Sequence, residues 1–421
     1  YIGRSPNAVI SLSHPAVSWN HARVVKQAEN RYAIQDLSSN NGTFINGRQL
    51  RQPRQQLLER GDVIQIGPFN LVYQGAGTFI PFSAERNFRL EVVDLQKTIY
   101  PPTWLGFPDK SRPKTLLSTL NMVINPREFV ALVGGSGTGK STLLKALTGL
   151  SRATAGTVLV NGDELYANFN LYRTMMGYVP QDDIIHQNLE VRHALTYAAR
   201  LRLPDAGRAE IDERVAAVLV KVGLTGQAET LVRDLSGGQR KRVSIAAELL
   251  AEPWIFLLDE PTSGLDPGLE KLMMDTLRQL ADEGRTIILV THATQNIIHN
   301  CDQVAFMARG GELTYFGPPD QALPFFKVDN FPDIYTRLAQ TFTRANASTV
   351  PAEIKAEYDQ FITASPSSGQ GDQVEILAGT LWAAHYRQSG LYQTYVTNRQ
   401  TGEMARPIPV SIKPAAGGLG G

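Results

Sequence analysis

Apolar residues follow two different rhythms along this chain. From Tyr1 to Tyr73, short β-rich runs such as Tyr32-Ala33-Ile34 and Val63-Ile64-Gln65-Ile66 are broken by Asn, Gly and Ser turns, the pattern of an all-β module with short strands. Further on the runs become continuous. Residues 129–133 and 254–258 are apolar throughout and 286–290 nearly so, as strands buried on both faces of a parallel sheet are. Each run ends in polar chemistry: a glycine loop after the first, Asp259-Glu260 after the second, His292 after the third. Residues 141–147 and 239–250 read as helices. Between the two regimes, 76–88 reads as a linker broken by Gly77 and Pro81.

Composition narrows the class. Forty-one basic residues face 40 acidic ones over 421 residues, so the chain has no nucleic-acid footprint. A single cysteine, Cys301, excludes a disulfide framework and suits a reducing compartment. No run approaches the roughly 18–20 apolar residues that a membrane helix needs.

The chemistry lies between Gly134 and His292. There GGSGTGKST (134–142), Gln181 in YVPQDD, LSGGQ (235–239), IFLLDEPTSGLD (255–266) and VTH (290–292) occur in order. Strand, glycine loop and helix in succession is the context that the GxxxxGK[ST] pattern requires. Backbone N–H groups of Gly134, Gly135, Ser136, Gly137, Thr138 and Gly139 would wrap the phosphates, helped by the helix dipole. Lys140 would reach the β- and γ-phosphates of ATP, and the hydroxyl of Ser141, beside Thr142, would ligate Mg2+. Ligands of open α/β sheets sit at the carboxyl ends of strands. Asp259 would therefore hold Mg2+ near the loop, Glu260 would polarise the attacking water, and His292 would position it against the γ-phosphate.

Ser236, Gly237 and Gly238 lead into a helix at Gln239, a second N-terminus suited to an anion. With these motifs the stretch from about Leu90 to Phe326 resembles the nucleotide-binding domain of an ABC transporter. The resemblance implies a head-to-tail dimer with a second such domain, in which LSGGQ of one copy closes on the γ-phosphate held by the other. It also implies that Asp266 lies in the loop linking the two sites, and that Gln181 touches Mg2+ and relays nucleotide state to a membrane domain. The family's adenine-stacking aromatic falls near Tyr100, although the register equally admits Ile99. Longer stretches, LEVRHALTYAARLRLP (189–204), LSGGQRKRVSIAAELL (235–250) and DEPTSGLD (259–266), resemble the G, or White-type, exporters. Those place the cassette ahead of a membrane block in one chain.

The first module is similar to a forkhead-associated (FHA) domain. IGRS (2–5), SWNH (18–21), DLSSNNGTFING (36–47) and GDVIQIG (61–67) carry the likeness in order and spacing. It implies a β-sandwich that binds phosphothreonine through its end loops. A phosphate of about −2 charge needs a bidentate arginine with hydroxyl and amide donors, which Arg4, Ser18, Ser39 and Asn40 supply. His21 and Asn41 are expected to brace the loops.

The expected organisation is FHA domain 1–75, linker 76–88, α/β P-loop cassette of ABC type 89–330 with its helical subdomain at about 184–250, and a helical extension and flexible tail over 331–421. The chain begins at Tyr1 close to the GR motif, without an initiator Met. It is expected to be a piece of a longer protein that continues into a membrane domain, working at the cytoplasmic face of the cell membrane. Two other functions fit the motifs: a soluble ABC ATPase, and a phosphothreonine-binding adaptor with a nucleotide-gated scaffold.

Overall fold

The computed structural model describes residues 1–29, 31–82, 88–101, 107, 109–182, 184–292, 294–364 and 375–401. Part of the expected linker, at 83–87, and the expected flexible tail after 401 lie outside the described residues.

Ten short strands build the first module: β1 (Ile2–Gly3), β2 (Ile10–Ser11), β3 (Ala22–Ala28), β4 (Arg31–Asp36), β5 (Thr43–Ile45), β6 (Arg48–Gln49), β7 (Gln55–Leu57), β8 (Val63–Ile66), β9 (Phe69–Gly75) and β10 (Thr78–Phe82). They form two sheets, ordered β2-β1-β3-β4-β7 and β10-β9-β8-β5-β6. Inward residues of both sheets, among them Ile2, Ala22 and Ile34 facing Ile64, Ile66 and Leu71, meet in one apolar core. Burying that shared face is what holds two such small sheets together. Strand β10 lies within the segment read as linker. It pairs antiparallel with β9 across a Gly75-Ala76-Gly77 turn, so glycine and proline punctuation there marks a hairpin rather than a tether.

The cassette opens with β11 (Leu90–Ile99) and β12 (Lys114–Ile124), which with β14 (Ala155–Val160) and β15 (Asp163–Glu164) make an antiparallel sheet ordered β12-β11-β14-β15. The central sheet runs β16-β17-β18-β13-β19-β20. Its members are β13 (Phe129–Gly134), β16 (Met176–Val179), β17 (Ile255–Asp259), β18 (Thr286–Val290), β19 (Gln303–Ala308) and β20 (Glu312–Gly317). All pairings are parallel except β19 with β20. Strands β13, β17 and β18 are buried at every position, as their unbroken apolar sequence predicts. Helix α1 (Lys140–Leu147) leaves the glycine loop, and α2 (Phe169–Tyr172) precedes β16. Helices α3 (Val191–Arg202), α4 (Arg208–Lys221) and α5 (Gly237–Leu249) pack on one another as a helical lobe. Helix α6 (Pro267–Asp282) packs on β18.

Beyond β20 come α7 (Pro319–Phe326), α8 (Phe331–Leu338), α9 (Lys355–Ala364) and α10 (Ala378–Gln388). Helix α10 lies on β20: Trp382 is buried with its ring 5.1 Å from Phe326, and the Tyr386 hydroxyl donates to the Phe316 carbonyl at 2.6 Å. The extension therefore belongs to the cassette's own core.

The sandwich rests on the cassette. His14 meets Trp254, the residue before β17, edge-on with centroids 5.6 Å apart. Phe44 joins the cassette's apolar core.

Candidate functional site

Gly139 caps α1 at φ 94°, a left-handed conformation that favours glycine. A Cβ there would stand 2.5 Å from the Leu116 carbonyl oxygen. The loop is thus tight enough to turn its amides inward. Inside it, the Lys140 ammonium donates to the carbonyls of Gly134 and Gly135, each at 2.9 Å. Burial pulls the Lys140 pKa down, and Glu260 and Asp259 counter it. Ser141 Oγ donates to Asp259 Oδ1 at 2.9 Å, and burial pushes the Asp259 carboxyl up. An ammonium and a carboxylate held in a shielded space interact strongly with any charge that enters.

Glu260 adopts φ 51°, a strained backbone for a non-glycine residue and one that clusters at functional sites. Its two oxygens gather the other motifs. Oε1 lies 3.0 Å from His292 Nε2, and Oε2 accepts from Gln181 Nε2 at 3.2 Å. Four segments far apart in sequence thus converge at the carboxyl ends of adjacent strands, as open α/β sheets require.

Ser236 starts α5 with a capping box: its Oγ accepts from the Gln239 N–H at 3.3 Å, and Gln239 Oε1 accepts from the Ser236 N–H at 2.9 Å. Gly238 packs on Leu265, which a Cβ would approach to 2.6 Å, whereas Gly237 faces open space. Asp266 caps α6, accepting from the Gly268 and Leu269 N–H groups at 3.0 Å each. Among the described residues, Ser236 bonds within its own helix start and Gly238 lies against Leu265. Tyr100 and Ile99 are both exposed at the end of β11. Sequence reasoning missed Lys241, whose ammonium in α5 donates to the Gln181 carbonyl and ties the LSGGQ helix to the glutamine loop. Its place one turn into α5 was the available signal.

At the sandwich's loop end, Arg4 is buried, donates from Nε to the Val17 carbonyl at 3.3 Å and lies 5.7 Å from the Trp19 ring centroid. Ser18 Oγ accepts from the Asn40 N–H at 3.1 Å. Ser39 Oγ donates to Asp36 at 2.6 Å and accepts from the Gly42 N–H at 3.0 Å, so it works within its loop. Asn41 Nδ2 donates to the Ala16 carbonyl at 2.8 Å. His21 Nδ1 accepts from the Ser18 N–H at 3.0 Å, and Nε2 lies 3.0 Å from the Gly42 carbonyl, an arrangement that suits neutral imidazole with its proton on Nε2. Both residues sit between loops.

Burial lowers the His21 pKa, and the Gly42 carbonyl and nearby carboxylates only partly oppose it. Unfolded His21 takes a proton below about pH 6.5, while the buried ring resists it. Its contribution is complete above that pH and shrinks as pH falls, by up to about 1.4 kcal/mol per unit. The melting temperature of the parent should drop between pH 7.5 and 5.5, and His21→Asn, less stable at pH 7.5, should lose less. Equal pH dependence in the two proteins would refute the buried-neutral assignment.

Residues 117–263 match the ABC transporter family and residues 1–67 the FHA domain family. The chain is 39% identical over 350 residues to the ABC transporter ATP-binding/permease protein Rv1747 of Mycobacterium tuberculosis, covering 82% of this chain and 39% of that protein. It is 33% identical over 307 residues to ABC transporter G family member 22 of Arabidopsis thaliana, covering 70% of this chain and 40% of that one. Among solved structures, cbiO1 of Clostridium perfringens, part of the ABC transporter complex cbiONQ, is 30% identical with a TM-score of 0.48, covering 59% of this chain and 97% of that one. The chain spans about two fifths of the length of the two curated relatives. It carries an FHA domain followed by an ATP-binding, ATP-hydrolysing cassette of the ABC transporter family, of the G type.

Proposed function

We propose that this chain is the ATP-driven cytosolic part of an exporter, working as a nucleotide-sandwich dimer at the cytoplasmic face of the cell membrane and regulated through phosphothreonine. The observation that carries it is the gathering of Gln181, Glu260 and His292 beside buried Lys140 and Asp259, the latter bonded to Ser141. Lys140 and the amides of 134–142 hold the triphosphate. Glu260 orients the attacking water, with His292 fixing its position against the γ-phosphate. The oxygens of Ser141, Asp259 and Gln181 fit Mg2+, a hard cation that takes oxygen ligands. When bound, it neutralises phosphate charge.

Ser236, Gly237, Gly238, Gln239 and Asp266 complete the site of a second copy, the start of α5 offering an anion a helix N-terminus with open space at Gly237. The domain limits that go with this reading are 1–75, 89–330 and 331–421, with the sandwich's last strand running into 76–88. Arg4, Ser18 and Asn40 form the phosphothreonine face, with the Ser39 hydroxyl holding the shape of their loop. A groove of about 820 Å³ beside Val179 and Pro180, lined by Ile184, Tyr197 and Leu201, supports a membrane-domain partner. Leu201 is 84% exposed there, and an apolar patch of this kind marks an interaction surface.

Dimer catalysis has a kinetic signature. At low concentration the initial rate of ATP hydrolysis should rise with the square of chain concentration, and become linear once dimers dominate. A strictly linear dependence with full specific activity at the lowest concentrations would remove the sandwich dimer.

A further inference from the structure

The ligand face of the sandwich is turned toward the cassette. The Arg4 guanidinium donates to Glu210, in the first turn of α4. Asn40 Nδ2 donates to Asp205 Oδ2 at 2.7 Å. Two of the groups suited to a phosphate are thus held by two carboxylates that lie five residues apart, just before and within the start of α4. Together the pair carries about the charge of a phosphate monoester. Ser18 accepts from the Asn40 N–H, which leaves its hydroxyl hydrogen to donate.

We propose that Asp205 and Glu210 stand in for the phosphate, so that the cassette's helical lobe occupies the FHA ligand face and a phosphothreonine ligand binds by displacing it. The proposal rests on the phosphothreonine reading given above and adds the competitor for that site. Arg4 is almost fully buried, and a buried cation is costly without an anionic partner. It therefore exchanges one partner for the other rather than standing alone. Glu210 is not stranded by the exchange, because Arg214 Nε also donates to it at 3.2 Å. Neither state leaves an unpaired charge, which is what an exchangeable contact requires. The docked sandwich touches α4 through this pair and the foot of β17 through His14 and Trp254. It therefore bridges the helical lobe and the nucleotide-binding core, and displacement frees one from the other.

The test uses the whole chain and its Asp205→Asn/Glu210→Gln variant in two measurements. Amide hydrogen exchange over 2–20 and 205–221 should be roughly fivefold faster in the variant, because the docked contact protects both segments. Retention on an immobilised degenerate phosphothreonine peptide library, against its unphosphorylated twin, should rise roughly tenfold in the variant, since a site blocked most of the time binds in proportion to its open fraction. Arg4→Ala should abolish retention. Unchanged exchange would overturn the docked contact itself. Faster exchange with equal phosphopeptide retention in parent and variant would overturn the competition while leaving phosphothreonine recognition intact. Faster exchange with no phosphate-dependent retention in any protein would overturn the recognition reading and the competition with it.

Discussion

Replacing Glu260 by Gln is expected to cut ATP turnover about a thousandfold while ATP binding stays intact, the range that a positioned general base supplies. The side chain keeps its length and shape, so the loop carrying φ 51° has no steric reason to move. One oxygen becomes an NH2 group, and it meets either His292 Nε2 or Gln181 Nε2, which both point at the carboxylate now. Reorienting the Gln181 amide or changing the His292 tautomer absorbs that conflict. Lys140 keeps its bonds to the Gly134 and Gly135 carbonyls, and Ser141 its bond to Asp259, which is why binding survives. What is lost is a carboxylate able to polarise the attacking water and accept its proton. Steady-state hydrolysis measured beside equilibrium binding of a fluorescent ATP analogue separates the two effects. Parent-like turnover would strip Glu260 of the role.

The second large effect is expected at Gly237. Gly237→Asp should reduce turnover at least a hundredfold and leave both folding and ATP binding by the single chain unchanged. The folded chain has room for the new side chain, since a Cβ at Gly237 meets nothing within 4 Å. A carboxylate in the first turn of α5 is also favourable to the helix, by about 0.3–1 kcal/mol. Within one chain, then, the substitution is benign. Across the proposed dimer seam it would place negative charge where the γ-phosphate of the other copy docks, and two anions in a dry interface repel strongly. Gly238 is a poorer probe, because any side chain there collides with Leu265 and would blur a folding defect with a catalytic one. Melting temperature, single-chain ATP binding and turnover measured together decide it. Full turnover in Gly237→Asp would mean that hydrolysis does not need the second copy's LSGGQ segment.

The parts of the protein that were legible in the sequence are those set by local chemistry. Strands β13, β17 and β18 announced themselves because burial on both faces demands unbroken apolar residues. The glycine loop was readable because its backbone admits few side chains, as Gly139 against the Leu116 carbonyl shows. The short strands of the sandwich followed from alternation and turn residues. Its last strand did not: Gly75 and Gly77 look the same in a tether and in a tight hairpin, and only pairing with β9 separates the two.

Side-chain partnerships across distant segments were not legible. The Asp259–Glu260 pair and His292 could be named from the sequence, but not that Gln181 and His292 would share the two oxygens of Glu260. Nothing in the sequence sets Lys241 apart from other helix cations, yet its ammonium meets the Gln181 carbonyl. Arg4 and Asn40 read as ligand groups, and nothing in periodicity or spacing could have matched them with Glu210 and Asp205.

The order of elements and the two kinds of core are written in the chain's local pattern, because hydrophobic period, turn chemistry and glycine-dependent backbone are properties of neighbours along the chain. The tertiary structure alone decided which charges face one another, because ion pairs between loops and helices cost the sequence no pattern and depend only on where packing brings their ends. That is how Arg4 and Asn40 of the sandwich came to lie against Glu210 at the start of α4 and Asp205 just before it.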